Sequence, residues 1–269
     1  MSPLRRSWLV GLLAGAALLA GCATAPPPAA TAQARAALAP TGKLRVGVYA
    51  GSPTSLVTDK AGQRAGVAYD LGREFARWLD VPVEVVEYRR IAEVLAAMKA
   101  GEVDFTFTNA TEARARDVDF TLPLVSLELG YLVPAGSPLR SAADIDRPGL
   151  RVGVSEGSTS QGTLTRLYQH ASVVPMPSLK VASAQLAQGR LDAFATNKGI
   201  LFEMADGLAG ARVLDGRWGL EHLAIAVPKD RLAGTSYLSQ FALAVRRDGT
   251  LQAAIARAGL RGTAEASNR

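Results

Sequence analysis

The sequence alternates short apolar runs with segments of helical periodicity, and this alternation limits the folds open to it. Residues 44–49, 81–86 and 103–107 are rich in the aliphatic and β-branched residues of strands. Two segments with apolar residues at helical spacing, one around Leu71 and one around Val94, lie between them. A strand–helix–strand–helix–strand order predicts an α/β unit with a largely parallel sheet.

The same order returns after a Pro/Gly-rich break at residues 134–138. The strands and helices predicted beyond the break are 150–154, 158–169, 173–176, 179–187, 191–195, 199–205, 222–227, 237–246 and 251–258. Hydrophobic residues make up 48% of the chain, which is enough for a sizeable core. We therefore expect two α/β lobes of similar order.

The single cysteine, Cys22, ends an N-terminal segment of a recognisable kind. Arg5 and Arg6 precede an unbroken run of apolar or small residues at 8–20. This run is shorter than the roughly 20 residues of a membrane-spanning helix and fits a signal-peptide core. The run ends in Leu-Ala-Gly-Cys, which resembles the lipobox of bacterial lipoproteins, whose cysteine is acylated after cleavage before it. We expect residues 1–21 to be a signal peptide.

A lipidated Cys22 predicts a periplasmic protein that is tethered to a membrane, and the choice between inner and outer membrane is left open. Residues 22–41 are Ala/Pro-rich, with a proline triplet that favours an extended chain. We interpret them as a linker between the lipid and the folded part. A helix over residues 30–39 is the alternative, although the sequence shows no partner for it.

Composition excludes several classes of site. One cysteine cannot close an internal disulfide, and with only two histidines a Cys/His zinc cluster is excluded as well. The formal charge of +6 includes the two arginines of the signal peptide, and no nucleic-acid-binding motif accompanies it. We expect no metal, no cofactor and no nucleic-acid partner.

Several segments, taken in order, resemble the family 3 extracellular solute-binding proteins, which are periplasmic receptors of polar amino-acid ABC importers. The resemblance extends over residues 42–262. The segments that carry it are 42–48, 59–66, 97–104, 114–120, 152–159 and 189–193. Each segment is weak evidence alone, and their shared order is the stronger signal.

The resemblance implies a two-lobed, type II-like periplasmic-binding-protein fold with two hinge-strand crossovers. Lobe 1 would be residues 42–133 plus 223–269, and lobe 2 would be residues 134–222. The crossings are expected near residues 129–133 and 223–227. A small polar or anionic ligand would bind between the lobes of a monomer, and an ABC permease in the membrane would be the partner.

Five residues are expected to hold the ligand from the loops that follow strands. Arg114 matches the arginine that grips a ligand carboxylate in the family, and a planar guanidinium suits that role. Ser158 and Thr159 lie at a strand-to-helix turn that favours anions. Thr108 and Asn109 follow the third strand at its carboxyl end. A surface arginine, a helix cap at Ser158 and a turn-forming Asn109 are the plainer alternatives.

Asn197 departs from the family pattern. Members that bind α-amino acids place an aspartate there to pair with the ammonium group, and asparagine supplies no charge. Positions 52, 55 and 91 also lack the aromatic residues that usually enclose the ligand. A small carboxylate or phosphonate-like anion is therefore expected to fit at least as well as a zwitterionic amino acid.

Three other interpretations fit parts of the sequence. Residues 153–157 satisfy G-x-S-x-G, so a hydrolase triad would combine Ser155 with His222. A dehydratase acting on prephenate-like acids would need a general acid such as Glu156. A sensory or accessory module would bind without an importer. We expect a binding protein with no catalytic residues.

Overall fold

The computed structural model describes residues 28–59 and 61–264, so the predicted signal peptide and Cys22 lie outside it. The α-helices in this part, α1 to α8, are Ala32–Leu38, Val67–Leu79, Ile91–Lys99, Thr159–Leu167, Leu179–Ala187, Lys198–Asp206, Leu232–Arg247 and Thr250–Arg257. The strands, β1 to β12, are Leu44–Tyr49, Val57–Thr58, Arg64–Ala65, Val83–Tyr88, Thr106–Asn109, Val118–Phe120, Val125–Val133, Arg151–Ser155, Ser172–Met176, Ala193–Asn197, Arg212–Val213 and Gly219–Pro228. Within the described residues, no helix is both long enough and apolar enough to cross a membrane.

The first α/β unit forms as predicted, with small shifts in its strands. β1 pairs in parallel with β4, and it also meets the segment leading into β5 through a bridge between Val46 and Phe105. β4 begins two residues later than expected, after Pro82, which has no N–H for the ladder. β5 begins after the buried Asp104, whose carboxylate accepts hydrogen bonds from the backbone and the guanidinium of Arg45.

Two long antiparallel strands, β7 and β12, connect the lobes. They pair with each other over residues 125–129 and 219–223. β12 then continues into lobe 1, where residues 223–226 pair with β5. β7 continues in the other direction, where residues 129–132 pair with β10 of lobe 2. The mixed α/β architecture with two hinge-strand crossovers is therefore confirmed.

Each lobe has a hydrophobic core of its own. In lobe 1 the ring of Phe75 packs between those of Phe105 and Phe241, with centroid distances of 5.7 and 4.7 Å. In lobe 2, β8 lies between β9 and β10 in parallel, and α5 and α6 cover one face around Phe194 and Leu201. Two separate cores allow the lobes to move as units about β7 and β12.

Part of the expected linker is folded onto lobe 1. α1 packs against α7, with Leu38 buried and Thr31 capping its first turn. The Nε of Arg35 also donates to the carbonyl of Leu79 at 2.7 Å. Gly234 makes the approach possible, because a Cβ there would lie 2.4 Å from the Cγ of Leu38. The helix that was the alternative for residues 30–39 is therefore present as α1. Its packing partner is α7, which the local sequence did not reveal.

Candidate ligand-binding cleft

A small cavity lies between the two lobes, and both lobes and the hinge line it. The space inside for the centre of a water molecule is about 30 Å³, so the lobes are closed over it. All six residues predicted to hold a ligand line this cavity: Thr108, Asn109, Arg114, Ser158, Thr159 and Asn197. Convergent polar groups within one closed cavity are typical of a small-molecule site.

Arg114 lies in a short 3₁₀ turn after β5, and its guanidinium reaches the cavity. Nη1 donates to Thr108 Oγ1 at 2.8 Å and to the carbonyl of Asn109 at 3.2 Å. Within the described residues, its Nε and Nη2 make no hydrogen bond. Burial lowers the pKa of Arg114, and the carboxylate of Glu221 opposes that shift. The free edge of a charged guanidinium is therefore left for an acceptor.

The N-terminus of α4 faces the same cavity. Ser158 caps the helix, because its Oγ accepts the N–H of Gln161 at 3.1 Å, as the plainer alternative expected. Gly157 turns the chain with a φ of +71°, a conformation that favours glycine. Free N–H groups and the helix dipole make this end favourable for an anion.

Glu221 is a buried carboxylate of the cleft that the sequence analysis missed. It lies on β12, lines the cavity and is 7% exposed. Its Oε1 accepts a hydrogen bond from Thr159 Oγ1 at 3.2 Å, and its Oε2 accepts one from Asn197 Nδ2 at 3.0 Å. Burial raises the pKa of Glu221, and Arg114 opposes that shift. Glu221 is in phase with the buried Leu223 and Ile225, and that period of two was the available signal.

Asn197 lines the cavity, but protein groups already use its polar atoms. Its Oδ1 caps α6 by accepting the N–H of Ile200 at 3.1 Å, while its amide donates to Glu221. Asn109 is engaged in a similar way, since its Oδ1 accepts the backbone N–H of His222 at 3.0 Å. Both asparagines therefore position strands and side chains around the cavity.

Aromatic side chains are present in the cavity wall, at positions other than those expected. Tyr49 at the end of β1 and Phe107 on β5 line it, together with Ile91. Ser55 instead supports the chain, because its Oγ accepts the backbone N–H of Tyr49 at 2.8 Å. The apolar part of the wall thus comes from strand ends as well as from α3.

The structure does not place in the cleft all the residues that the two enzyme interpretations require. Ser155 lines the cavity and His222 does not; the Nδ1 of His222 lies 2.9 Å from Ser126 Oγ in an exposed pair. Glu156 does not line the cavity, and half of its side chain is exposed. A hydrolase triad at Ser155 is therefore contradicted, and Glu156 is not placed to act as an acid inside the cleft.

Contacts between the lobes close the mouth of the cleft. Arg90 of lobe 1 makes an ion pair of 3.0 Å with Glu156 of lobe 2 and donates to the carbonyl of Pro177 at 3.4 Å. Beside this pair, Ala92 of α3 faces Gly157, and a Cβ on the glycine would lie 2.6 Å from the Cβ of the alanine. The closed arrangement leaves no room for a larger side chain there.

Comparisons with known proteins agree with this architecture. The family model described as "Bacterial extracellular solute-binding proteins, family 3" matches residues 44–259. The membrane-bound lytic murein transglycosylase F of Shewanella baltica is 30% identical over 166 residues, which are 61% of this chain and 33% of that protein. The chain therefore spans about a third of the length of that relative.

Two further relatives are similar over more of their own length. The glutamine-binding protein of Geobacillus stearothermophilus is 26% identical over 194 residues, or 70% of this chain and 74% of that protein. The solved structure of an ancestral arginine-binding protein bound to arginine is 26% identical and has a TM-score of 0.72. That match covers 80% of this chain and 97% of the other.

Proposed function

Because this chain belongs to the bacterial extracellular solute-binding proteins, family 3, we propose that it captures a small solute in the closed cleft and delivers it to an ABC permease. The solute carries a carboxylate or a similar anionic group. The observation that carries this proposal is the guanidinium of Arg114, whose Nε and Nη2 make no hydrogen bond within the described residues; Arg114 lines the same cavity as Ser158 and Thr159 at the N-terminus of α4.

Residues of both lobes contact the anionic group of the ligand. Arg114 grips the anionic group from lobe 1, and Thr108 holds its guanidinium in place. Ser158 and Thr159 approach the same group from lobe 2, at the free N–H groups of α4. The ligand thereby binds the closed state more strongly than an open one, and this difference in affinity drives closure.

A binding assay with a matched pair of variants tests this role of Arg114. Thermal-shift screening of L-amino acids and small carboxylates identifies a ligand, because a compound that binds the native state alone raises the melting temperature. Arg114→Ala is expected to weaken the best ligand by about 10²–10³-fold, since it removes one partner of a buried ion pair. Arg116→Ala, at an exposed neighbouring position, should leave the affinity unchanged.

An unchanged affinity in Arg114→Ala would show that Arg114 does not bind the carboxylate of the ligand. If no compound of either class shifts the melting temperature, the proposed ligand class is wrong.

We also propose that Cys22 is acylated and holds the domain on the periplasmic side of a membrane. The Leu-Ala-Gly-Cys sequence and the preceding apolar run support this proposal. Metabolic labelling with a fatty acid tests it, with Cys22→Ser as the control. Label on the Cys22→Ser protein, or none on the wild type, would contradict lipidation at this position.

A second candidate is an accessory binding domain without an importer. The matches to murein transglycosylases favour it. In such a relative the matching region is 33% of the protein, so there it is one part of a longer chain. Uptake assays separate the two candidates once a ligand is known. Deletion of the gene lowers import of that ligand in the transport case and leaves import unchanged in the accessory case.

A further inference from the structure

The segment that follows α8 makes a third connection between the lobes, besides β7 and β12. α8 packs in lobe 1, and Leu260 just beyond it belongs to the core of that lobe. The helix ends in a Schellman motif, in which the N–H of Leu260 donates to the carbonyl of Ile255. Gly259, with a φ of +60°, donates to the carbonyl of Ala256. This turn leads into residues 259–264, which we call the strap.

The strap docks on α6 of lobe 2 through Arg261. The guanidinium of Arg261 makes two hydrogen bonds to the carboxylate of Asp206, one of them from Nη1 to Oδ1 at 3.3 Å. Its Cζ also lies 4.9 Å from the centre of the Phe202 ring, which is a cation–π distance. Asp206 and Phe202 both belong to α6, so a single side chain of the strap binds lobe 2 by two kinds of charge interaction.

Two glycines let the strap approach α6 closely. A Cβ on Gly199 of α6 would lie 2.6 Å from the Cδ1 of Leu260, and a Cβ on Gly262 would lie 2.5 Å from the Cβ of Lys198. Neither position has room for a side chain, so the strap and α6 are in direct contact there. Lys198 also makes an ion pair of 2.7 Å with Glu128 on β7. The strap, α6 and a hinge strand therefore meet at one place.

The strap then joins the hinge strand β7 as an added antiparallel strand. The N–H of Glu128 donates to the carbonyl of Gly262 at 3.0 Å. The N–H of Ala264 donates to the carbonyl of Ser126 at 2.9 Å. These bonds use the edge of β7 that faces away from β12, on which β10 of lobe 2 pairs with residues 129–132. The strap thus lies beside the point where the chain crosses between the lobes.

We propose that the strap stabilises the closed state, with Arg261 as a positioning residue that docks on α6 when the lobes close and leaves it when lobe 2 swings open. α8 moves with lobe 1 and α6 moves with lobe 2, so a rotation about β7 and β12 changes the distance from Arg261 to its partners. Asp206 ends α6, roughly 13 Å from Asn197 at the hinge, which gives the rotation a lever arm.

Contacts that exist in only one of two states shift the population toward that state. The docked strap therefore favours closure without touching a ligand. The ligand-free protein should spend part of its time closed, and loss of the Arg261 contacts should reduce that part.

Spin-label distances in the ligand-free protein test the proposal, so the result does not depend on the proposed solute. One label on α3, at Ala96→Cys, and one on α4, at Thr165→Cys, occupy exposed positions on the helices that flank the mouth of the cleft. The full chain carries Cys22→Ser, which removes its own cysteine. We expect a closed and an open distance in this protein, and a closed-to-open ratio about threefold to tenfold lower when Arg261→Ala is added.

Arg257→Ala is the matched control. Arg257 makes a similar exposed ion pair, at 3.4 Å from Asp70, but both residues belong to helices of lobe 1. Its loss should leave the ratio unchanged. Exchange of the two charges, Arg261→Asp with Asp206→Arg, should recover part of the ratio that Arg261→Ala loses, because the pair itself is restored.

Three outcomes would overturn the proposal. The first is a ligand-free protein with an intact strap that shows the open distance alone. The second is a ratio in Arg261→Ala equal to that of the intact strap. The third is a lower Tm in Arg261→Ala with an unchanged ratio, which would show that the strap stays docked in both states and serves folding only.

Discussion

Ala92→Leu should hold the cleft partly open, because the mouth has no space for an added carbon. A Cβ on Gly157 would already lie 2.6 Å from the Cβ of Ala92. Leucine places a further carbon about 1.5 Å beyond Cβ, and carbon atoms rest about 3.5–4.0 Å apart. The two segments therefore have to separate by roughly 1 Å. Leucine favours helices, so α3 itself should be unaffected.

That separation weakens the contacts that depend on closure. The ion pair of Arg90 and Glu156, at 3.0 Å, would lengthen to about 4 Å, and the lobe 2 donors would retreat from an anion held by Arg114. A hydrogen bond to a charged group is worth about 1.5–3 kcal/mol. Loss of one such bond to the ligand lowers affinity by about 10–100-fold.

Calorimetry measures that affinity, and small-angle scattering measures the radius of gyration with and without ligand. Ala96→Leu is the matched control, since it makes the same change one helical turn further along α3 at an exposed position. We expect it to bind and to compact as the wild type does. Wild-type affinity and full compaction in Ala92→Leu would refute the claim that this contact limits closure.

Two further predictions concern stability. Gly234→Ala should lower the free energy of unfolding by about 1–3 kcal/mol, because the added Cβ overlaps Leu38. Chemical denaturation measures this loss. The second substitution Leu38→Ala in the same chain should recover part of it. Without that recovery, the α1–α7 contact is not the cause. The hydrogen bond from Arg151 lowers the pKa of Asp192, so its stabilising contribution is present above the unfolded pKa of about 3.9 and is lost as pH falls below it. The difference in Tm between wild type and Asp192→Asn should therefore shrink from pH 6 to pH 3, roughly, and a constant difference would contradict the assignment.

The elements of both lobes were predictable because their signals are local. Helices such as α2 and α5 follow from the spacing of apolar residues, as does the strand at 222–227 from its apolar run, whereas the position of both hinge crossings was implied by the family resemblance. Boundaries moved where a single residue interfered with the ladder, as Pro82 did before β4. Those shifts are small because the hydrophobic pattern still decides which face is buried.

The candidate site was predictable only in part. Arg114, Ser158 and Thr159 lie in segments whose sequences resemble those of the family, and all three line the cavity. Glu221 was missed because its role depends on contacts with Thr159 and Asn197, which are 62 and 24 residues away in the chain. A single carboxylate in a strand shows its burial only through its phase with neighbouring residues, and pairing of distant strands then decides what it faces.

The docked N-terminal segment, together with the proposed lipid on Cys22, would determine which lobe stays still. The hydroxyl of Tyr237 on α7 donates to the carbonyl of Pro28 at 2.9 Å, so lobe 1 fixes the chain from that residue onward. With Cys22 as the proposed lipid anchor, only residues 23–27 lie between it and that fixed point, and the six Cα–Cα steps reach about 20 Å at most. Lobe 1 would then be the stationary body near the membrane surface. Lobe 2 would then make the swing that opens and closes the cleft.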